Sequence, residues 1–403
     1  MRTKNLIVFF VLTFLSTKVF SQTDVAKAFS FAQSQTALML KEVDTIKSDP
    51  ASSALVSPRS LNADGKLVMV PSKDWCSGFF PGELWFLYEY TKDKKWMTLA
   101  QKFTANIEVE KTNGITHDMG FKVYNSVGNG YRLTKDSHYK EVLIEAAKTL
   151  STRFNPIVGS IKSWDNRKQW KFPVIIDNML NLELLFEATR LTGDSSFYKI
   201  AVTHANTAMK NHFRADYSSY HVIDYDPETG KVLHKQTHQG YADESAWARG
   251  QAWGLYGYTM CYRETHNKAY LKQAENIAKF IFSNPNLPAD LVPYWDYNDP
   301  AIPNTPRDAS AAAVAASALY ELSTYSTNAK EYRSTADKIV KTLSEKYRAK
   351  PGGSKGFLLI HSTGHKPAGT EIDVPIIYAD YYYLEALLRK QHLYKGQPVI
   401  NRN

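Results

Sequence analysis

Within the seventeen residues His238–Gly254, HQGYADESAWARGQAWG, stand His238, Gln239, Asp243, Glu244, Trp247, Arg249, Gln251 and Trp253. Imidazole, amide, carboxylate, guanidinium and indole groups rarely share so short a run in a helix built only for packing. A helix starting near Glu244 stacks Arg249 and Trp253 one turn apart. Gly250 and Gly254 fall four apart beside them, where a neighbouring backbone or a ligand can approach closely. A flat aromatic face next to a planar guanidinium suits a sugar ring that carries a carboxylate. The competing reading is a Trp-rich core helix with Arg249 paired to an internal acid.

Two acids stand at expected helix starts. His117-Asp118-Met119-Gly120-Phe121 holds the first, and Pro173-Val174-Ile175-Ile176-Asp177-Asn178-Met179-Leu180-Asn181 the second. Either could be an N-cap. Asp177, however, follows three β-branched apolar residues. Such neighbours raise a carboxyl pKa, while a helix N-terminus opposes the rise. If desolvation wins, Asp177 stays partly protonated near neutrality, as a general acid must. Asn181, one turn on, is expected to orient it. Two carboxylates in one pocket are the minimum for ordinary glycoside cleavage. Trp75-Cys76-Ser77-Gly78-Phe79-Phe80-Pro81-Gly82 adds an aromatic, Gly-rich turn entering a helix. Other chemistries lack their signatures. The eleven His are scattered without an HExxH motif, and there is neither a G-x-S-x-G elbow nor a phosphate-binding loop.

The chain that must position these groups has 403 residues, 43% hydrophobic and 13% aromatic, an ordinary globular composition. Residues 1–21 stand apart. Arg2 and Lys4 precede the apolar run Leu6–Leu12, and Val19 and Ser21 supply the small pair before Gln22. That order is the pattern of a cleaved secretory signal, so residues 22–403 are expected to form the mature domain. The apolar run is short for a membrane span. The formal charge is +9, and removing Arg2, Lys4 and Lys18 brings it to +6. A mildly basic chain fits an anionic substrate. Nucleic acid is disfavoured, because no basic block or zinc spacing occurs. Cys76 and Cys261 are too few for a disulfide framework; two separate buried thiols are expected.

Hydrophobic periodicity predicts twelve helices, at about 24–46, 80–91, 95–110, 118–133, 136–153, 177–192, 195–213, 244–265, 268–282, 307–324, 330–347 and 374–390. Residues 48–74 and 155–173 read as loops, and 214–237 as a polar hairpin turning at Pro227–Gly230. Gly-Asp and Thr-Asn turns recur within helix pairs, and the long loops fall between pairs. Nothing alternates as βαβ, so the chain reads as all-α. Six helical hairpins close into a ring, an (α/α)6 barrel with the long loops gathered at one mouth. An open solenoid is the alternative, but its kind of repeat signature is not seen. No linker divides the chain.

In family order, the segments WCSGFFPGELW, HDMGF, FPVIIDNMLNLELL, YHVIDYDPETG, HQGYADESAWARGQAWG, TPRDASAAAVAASAL and DVPIIYADYYYLEALLR resemble the unsaturated glucuronyl hydrolases, family 88 of the glycoside hydrolases. The resemblance runs from about residue 75 to 389 and implies the (α/α)6 fold. It also implies a reaction: hydration of the C4–C5 double bond of a 4,5-unsaturated uronic acid at the non-reducing end of an oligosaccharide made by a lyase. It assigns Asp177 as general acid and base, and Asp118 as the second essential acid. His221, Gln239, Trp247, Arg249 and Trp253 match residues around the unsaturated ring, with Trp75, His117, Trp164 and His238 completing the wall. In Gly356–Asp373, His361, Ser362 and Lys366 are candidates for the second sugar. The resemblance implies no metal or organic cofactor; together with the signal pattern of residues 1–21 it points to a bacterial protein exported to the periplasm or medium, and a monomer is expected. Competing expectations are an unsaturated rhamnogalacturonyl hydrolase acting on pectin fragments, and a non-catalytic sugar-binding toroid.

Overall fold

A computed structural model describes residues 4–400, with side chains from residue 24 onward. The proposed export signal falls on residues 1–3, outside the described residues, and on a stretch whose side chains are likewise outside them. Twelve α-helices are present among the described residues. Six form an inner ring: α2 (Phe79–Thr91), α4 (Asn129–Thr134), α6 (Leu182–Thr192), α8 (Ala248–Thr265), α10 (Ala309–Leu322) and α12 (Ile377–Lys395). Their outer partners are α1 (Lys4–Lys47), α3 (Lys94–Ala105), α5 (Ser137–Ser151), α7 (Ser195–Asn211), α9 (Lys268–Ser283) and α11 (Ala329–Lys346). Each inner helix packs on the next, with α6 meeting the π-helical segment Gly120–Gly128 that leads into α4, and α12 returns to α2, closing an (α/α)6 barrel.

Burial explains which helix lies where. All fourteen residues of α10 are buried, and most are Ala or Ser; a helix apolar all round belongs inside. Small side chains let α8 and α12 approach on either side. The outer helices bury one stripe only. In α5 it is Tyr139, Val142, Leu143, Ala146, Ala147 and Leu150; in α9 it is Tyr270, Gln273, Ala274, Ile277, Ala278 and Ile281. Both follow the i, i+3, i+4, i+7, i+8 rule of an amphipathic helix.

The inner-to-outer turns carry a repeat that periodicity alone did not single out. Thr91-Lys92-Asp93, Thr134-Lys135-Asp136, Thr192-Gly193-Asp194 and Thr265-His266-Asn267 are four versions of one device. Each Thr hydroxyl donates to the carbonyl four residues back. The middle residue has positive φ, from 54° to 77°. The Asp or Asn then accepts from the backbone N–H two residues on, capping the outer helix. An aromatic follows three residues after each cap, at Trp96, Tyr139, Phe197 and Tyr270, and is buried against the ring.

The connections in the other direction are long and gather at the opposite end. Two stretches read as loops or unpaired segments contain strands. β1 (Ser57–Leu61) pairs with β2 (Leu67–Val70), and the short β3 (Phe154–Asn155) with β4 (Ser160–Ile161). The expected hairpin is β6 (Val222–Tyr225) and β7 (Val232–Gln236), and β5 (Pro173–Ile175) joins its other edge. The β-branched run before Asp177 is therefore a buried strand. Cys76 and Cys261 are separate buried thiols.

Candidate active site

Both acids sit where an inner helix begins irregularly. Asp177 lies in the tight 3-10 turn Ile176–Asn181 that β5 feeds into α6. Asp118 precedes the wide π-helical segment Gly120–Gly128 that runs into α4. Neither carboxylate caps its helix. The cap of the segment after Asp118 comes from the neighbouring one: Asn181 Oδ1 accepts from the N–H of Gly120 at 2.8 Å and of Phe121 at 3.1 Å. Asn181 was expected to orient Asp177; it instead ties the two acid-bearing segments together. That contact requires glycine at position 120, because a Cβ there would lie 2.6 Å from Asn181 Cα.

The sheet register brings His221 to Asp177. Ile175 pairs with Val222, the Ile176 N–H donates to the His221 carbonyl, and His221 Nε2 stands 3.6 Å from Asp177 Oδ2. The N–H groups of His238 and Gln239 both donate to His221 Nδ1, at 3.1 Å each. Nδ1 is thus the acceptor, and the ring proton resides on Nε2, facing the acid. Burial holds His221 well below its ordinary pKa, so the imidazole is neutral. Burial also pushes Asp177 up, to about 7, against the positive charge of Arg249; nearby Asp118 adds to the rise and the Trp253 indole opposes it. Desolvation outweighs the helix start, and the acid is poised at neutrality.

Asp118 is held by the two residues before it. Thr116 Oγ1 donates to Oδ2 at 2.5 Å, and His117 Nε2 lies 3.2 Å from Oδ1. His117 Nδ1 faces Ser163 Oγ at 3.4 Å, and Ser163 Oγ accepts the Ile175 N–H at 3.0 Å. A single polar chain therefore runs from the strand leading to Asp177 through to Asp118. Burial lowers the pKa of His117.

The two acids share a pocket with Trp75, His117, Trp164, His238 and Gln239. That places seven expected residues in one pocket. Trp247 and Trp253 are instead buried beneath it, with His221. Arg249, expected against the sugar carboxylate, is also beneath. The helix begins at Ala248 rather than Glu244, which turns Arg249 inward. Its guanidinium donates to Asp308 Oδ2 at 2.9 Å and to the carbonyls of Thr363 and Gly364 at 2.6 Å each. Trp247 and Tyr378 flank it at 4.6 and 5.2 Å. The core-helix reading, with an internal acid partner, describes this arginine.

His361 and Ser362 do not reach the cavity. His361 is half-exposed and sits 2.6 Å from Asp373; Ser362 is buried and pairs with Val374. Lys366 bonds Asp299 at 3.1 Å. The segment is a strap laid across the mouth, bridged at Ser362–Val374 and His365–Thr370, and such pairing sends neighbouring side chains to opposite sides. Its residues that line the cavity are Gly364, His365, Thr370 and Glu371. These, with Arg59, Arg167 and Tyr378, escaped the sequence reading. Gly364, His365, Thr370 and Glu371 lay in the Gly356–Asp373 segment singled out there, and Tyr378 in another; Arg59 and Arg167 lay in none. Arg59 grips Asp74 and Glu371 on either side, a pairing across 312 positions that no local pattern signals. Two His pairs at HxxxH spacing exist, His234–His238 and His361–His365; they lie on a strand and the strap, not on a helix face. Among the described residues no three metal-ligating side chains converge.

A model of the family described as Glycosyl Hydrolase Family 88 matches residues 58–393. An unsaturated glucuronyl hydrolase of Formosa agariphila is 56% identical over 340 residues, 83% of this chain and 85% of that protein. An unsaturated chondroitin disaccharide hydrolase of Streptococcus agalactiae is 34% identical over 329 residues, 80% of this chain and 82% of that protein. Among solved structures, an unsaturated glucuronyl hydrolase specific for heparin superimposes with a TM-score of 0.85 at 46% identity, covering 93% of this chain and 99% of that one. With the family's match spanning the ring, the mouth and both acids, the chain belongs to glycosyl hydrolase family 88.

Proposed function

We propose that the chain removes a 4,5-unsaturated uronic acid from the non-reducing end of lyase-generated glycosaminoglycan fragments, chiefly disaccharides. The observation that carries this reading is Asp177: a buried carboxyl, raised to about 7, not spent on a cap, beside a second acid in an aromatic-walled pocket. The relatives, an unsaturated glucuronyl hydrolase and an unsaturated chondroitin disaccharide hydrolase, support the substrate class. Asp177 protonates C4 of the vinyl ether, and positive charge develops at C5 and the ring oxygen. Asp118, fixed by Thr116 and His117, lies near that charge and stabilises it. Water adds at C5 and gives its proton to the Asp177 carboxylate. The resulting hemiketal opens, and the bond to the next sugar breaks. Trp75 and Trp164 supply apolar faces for the ring. Arg249, Trp247, Trp253 and His221 form the floor, and Arg249 and Trp253 favour the charged form of Asp177 against its burial.

The test is loss of the unsaturated-uronate absorbance on a panel of chondroitin, hyaluronan, heparin and pectin disaccharides, run in deuterium oxide. Solvent deuterium at C4 is the expected result. Bleaching of the pectin substrate alone, or cleavage at the anomeric carbon without deuterium at C4, overturns the reading. Binding without bleaching makes the chain a sugar-binding toroid. Residues 22–403 act as one catalytic domain and work as a monomer. The chain is exported after cleavage near Ser21–Gln22; an exported protein whose mass retains Met1 contradicts this. No helix among the described residues is long and apolar enough to cross a membrane.

A further inference from the structure

The charges lining the pocket divide into those already committed and one that is not. Arg59 is held between Asp74 and Glu371, each within 3.0 Å. Arg249 lies beneath the floor with its two Nη groups given to Asp308 and two carbonyls. Burial lowers the pKa of each of the wall imidazoles, His117, His238 and His365, which keeps them neutral at pH 7. Arg167 differs. It lines the same pocket from the connection between β4 and β5, is exposed, and sits 5.7 Å over the Trp164 ring. The acid beside it in sequence, Asp165, is taken by Arg153 and Lys162. Among the described residues no carboxylate is within ion-pairing distance of Arg167. His238 and His365 line the same pocket, and the Arg167 charge adds to the lowering of both imidazoles.

Depth decides what this charge meets. The uronate must reach Asp177 at the floor, so its own carboxylate is carried inward. A guanidinium at the rim meets the sugar that follows. Guanidinium donors match the paired oxygens of an oxyanion, and stacking on an indole restricts the side chain before binding. We propose, on the hydration reading given above, that Arg167 is a specificity-determining residue that binds a sulfate ester on the sugar next to the unsaturated uronate.

The experiment compares two unsaturated disaccharides that differ only in sulfation of the second sugar. Values of kcat/KM are measured by loss of the uronate absorbance for the wild type, Arg167→Ala and Arg167→Lys, at low and high salt. The sulfated-to-unsulfated ratio is expected to fall about five- to tenfold in Arg167→Ala, in line with a partly solvated charge pair, and to be partly kept in Arg167→Lys. Added salt should lower the wild-type ratio and leave the alanine variant's ratio nearly level. An equal loss on both substrates would assign Arg167 to the uronate itself, and no loss would make it a bystander; either overturns the proposal while the hydration reading stands. A wild type that bleaches neither substrate overturns the hydration reading and this proposal with it.

Discussion

At the scale of the residue, Asp177 carries a cost that the fold accepts. Its pKa rises from 3.8 to about 7 on folding. Between those values the folded state binds more protons than the unfolded one, so stability falls as pH rises through that window. The full penalty, reached above pH 7, is on the order of 4 kcal/mol. Asp177→Asn removes it, since the amide is neutral at every pH. The variant should lose turnover by at least ~10²–10⁴-fold yet become more stable than the wild type as pH is raised from 5 to 9. Denaturant unfolding at several pH values checks this; a stability difference that does not change with pH contradicts the buried-acid account. Arg249 is argued from the same electrostatics. Its charge stabilises the Asp177 carboxylate, so Arg249→Met should raise the acid's pKa further. The basic limb of the pH–rate profile then moves to higher pH, because the acid holds its proton longer. Leaving Asp308 buried without its partner should also cost roughly 3–5 kcal/mol. A limb that stays in place, in a variant shown to be folded, would remove Arg249 from the control of Asp177.

At the scale of the element, catalysis depends on two irregular helix starts being locked together. The Gly120–Asn181 contact is the lock. Gly120→Ala inserts a methyl into a space already filled, at a cost of ~1–3 kcal/mol. It also pushes Asp118 away from Asp177, so kcat should fall ~10–100-fold. Gly114→Ala is the control: a Cβ there meets nothing closer than 3.9 Å, and both stability and kcat should hold. Equal effects at the two glycines would mean that the contact is incidental. This scale also shows what was legible in the sequence. Helices with a strong apolar stripe, such as α5 and α9, fell where periodicity placed them, because one face must be buried. The two acids were visible because each stands at an expected helix start, Asp177 directly after an apolar run. Arg249 was misplaced because Trp and Arg adjacency looks the same in a core as in a sugar site; the deciding partner, Asp308, lies 59 residues on. Arg59 and Glu371 were invisible for the same reason, joined only when the ring closes. β5 was hidden because three residues are too few to show a period.

At the scale of the whole molecule, the two ends of the barrel divide the work. Long connections meet at the mouth and vary in form, while the far end is closed by repeated Thr-x-Asp/Asn turns and by a buried charge network. There Glu321 of α10 accepts from Arg263 of α8 at 2.8 Å and stands 3.1 Å from Arg389 of α12. Arg263 also bonds Glu183 of α6. Four consecutive inner helices are thereby joined around one carboxylate that is 1% exposed. Removing its charge leaves two buried guanidinium groups short of a partner, a change that typically costs 3–5 kcal/mol. Glu321→Gln, nearly equal in shape, should lower unfolding free energy by about that amount. Activity at 25 °C should persist, since Arg263, Glu321 and Arg389 lie toward the C-terminal ends of their helices and the acids at the N-terminal starts of theirs. Unfolding in urea and turnover on an unsaturated disaccharide, measured on the same sample, separate the two effects. Loss of kcat at full stability would mean that the far end communicates with the mouth; unchanged stability would mean that apolar packing of α8, α10 and α12 closes the ring without help from its charges.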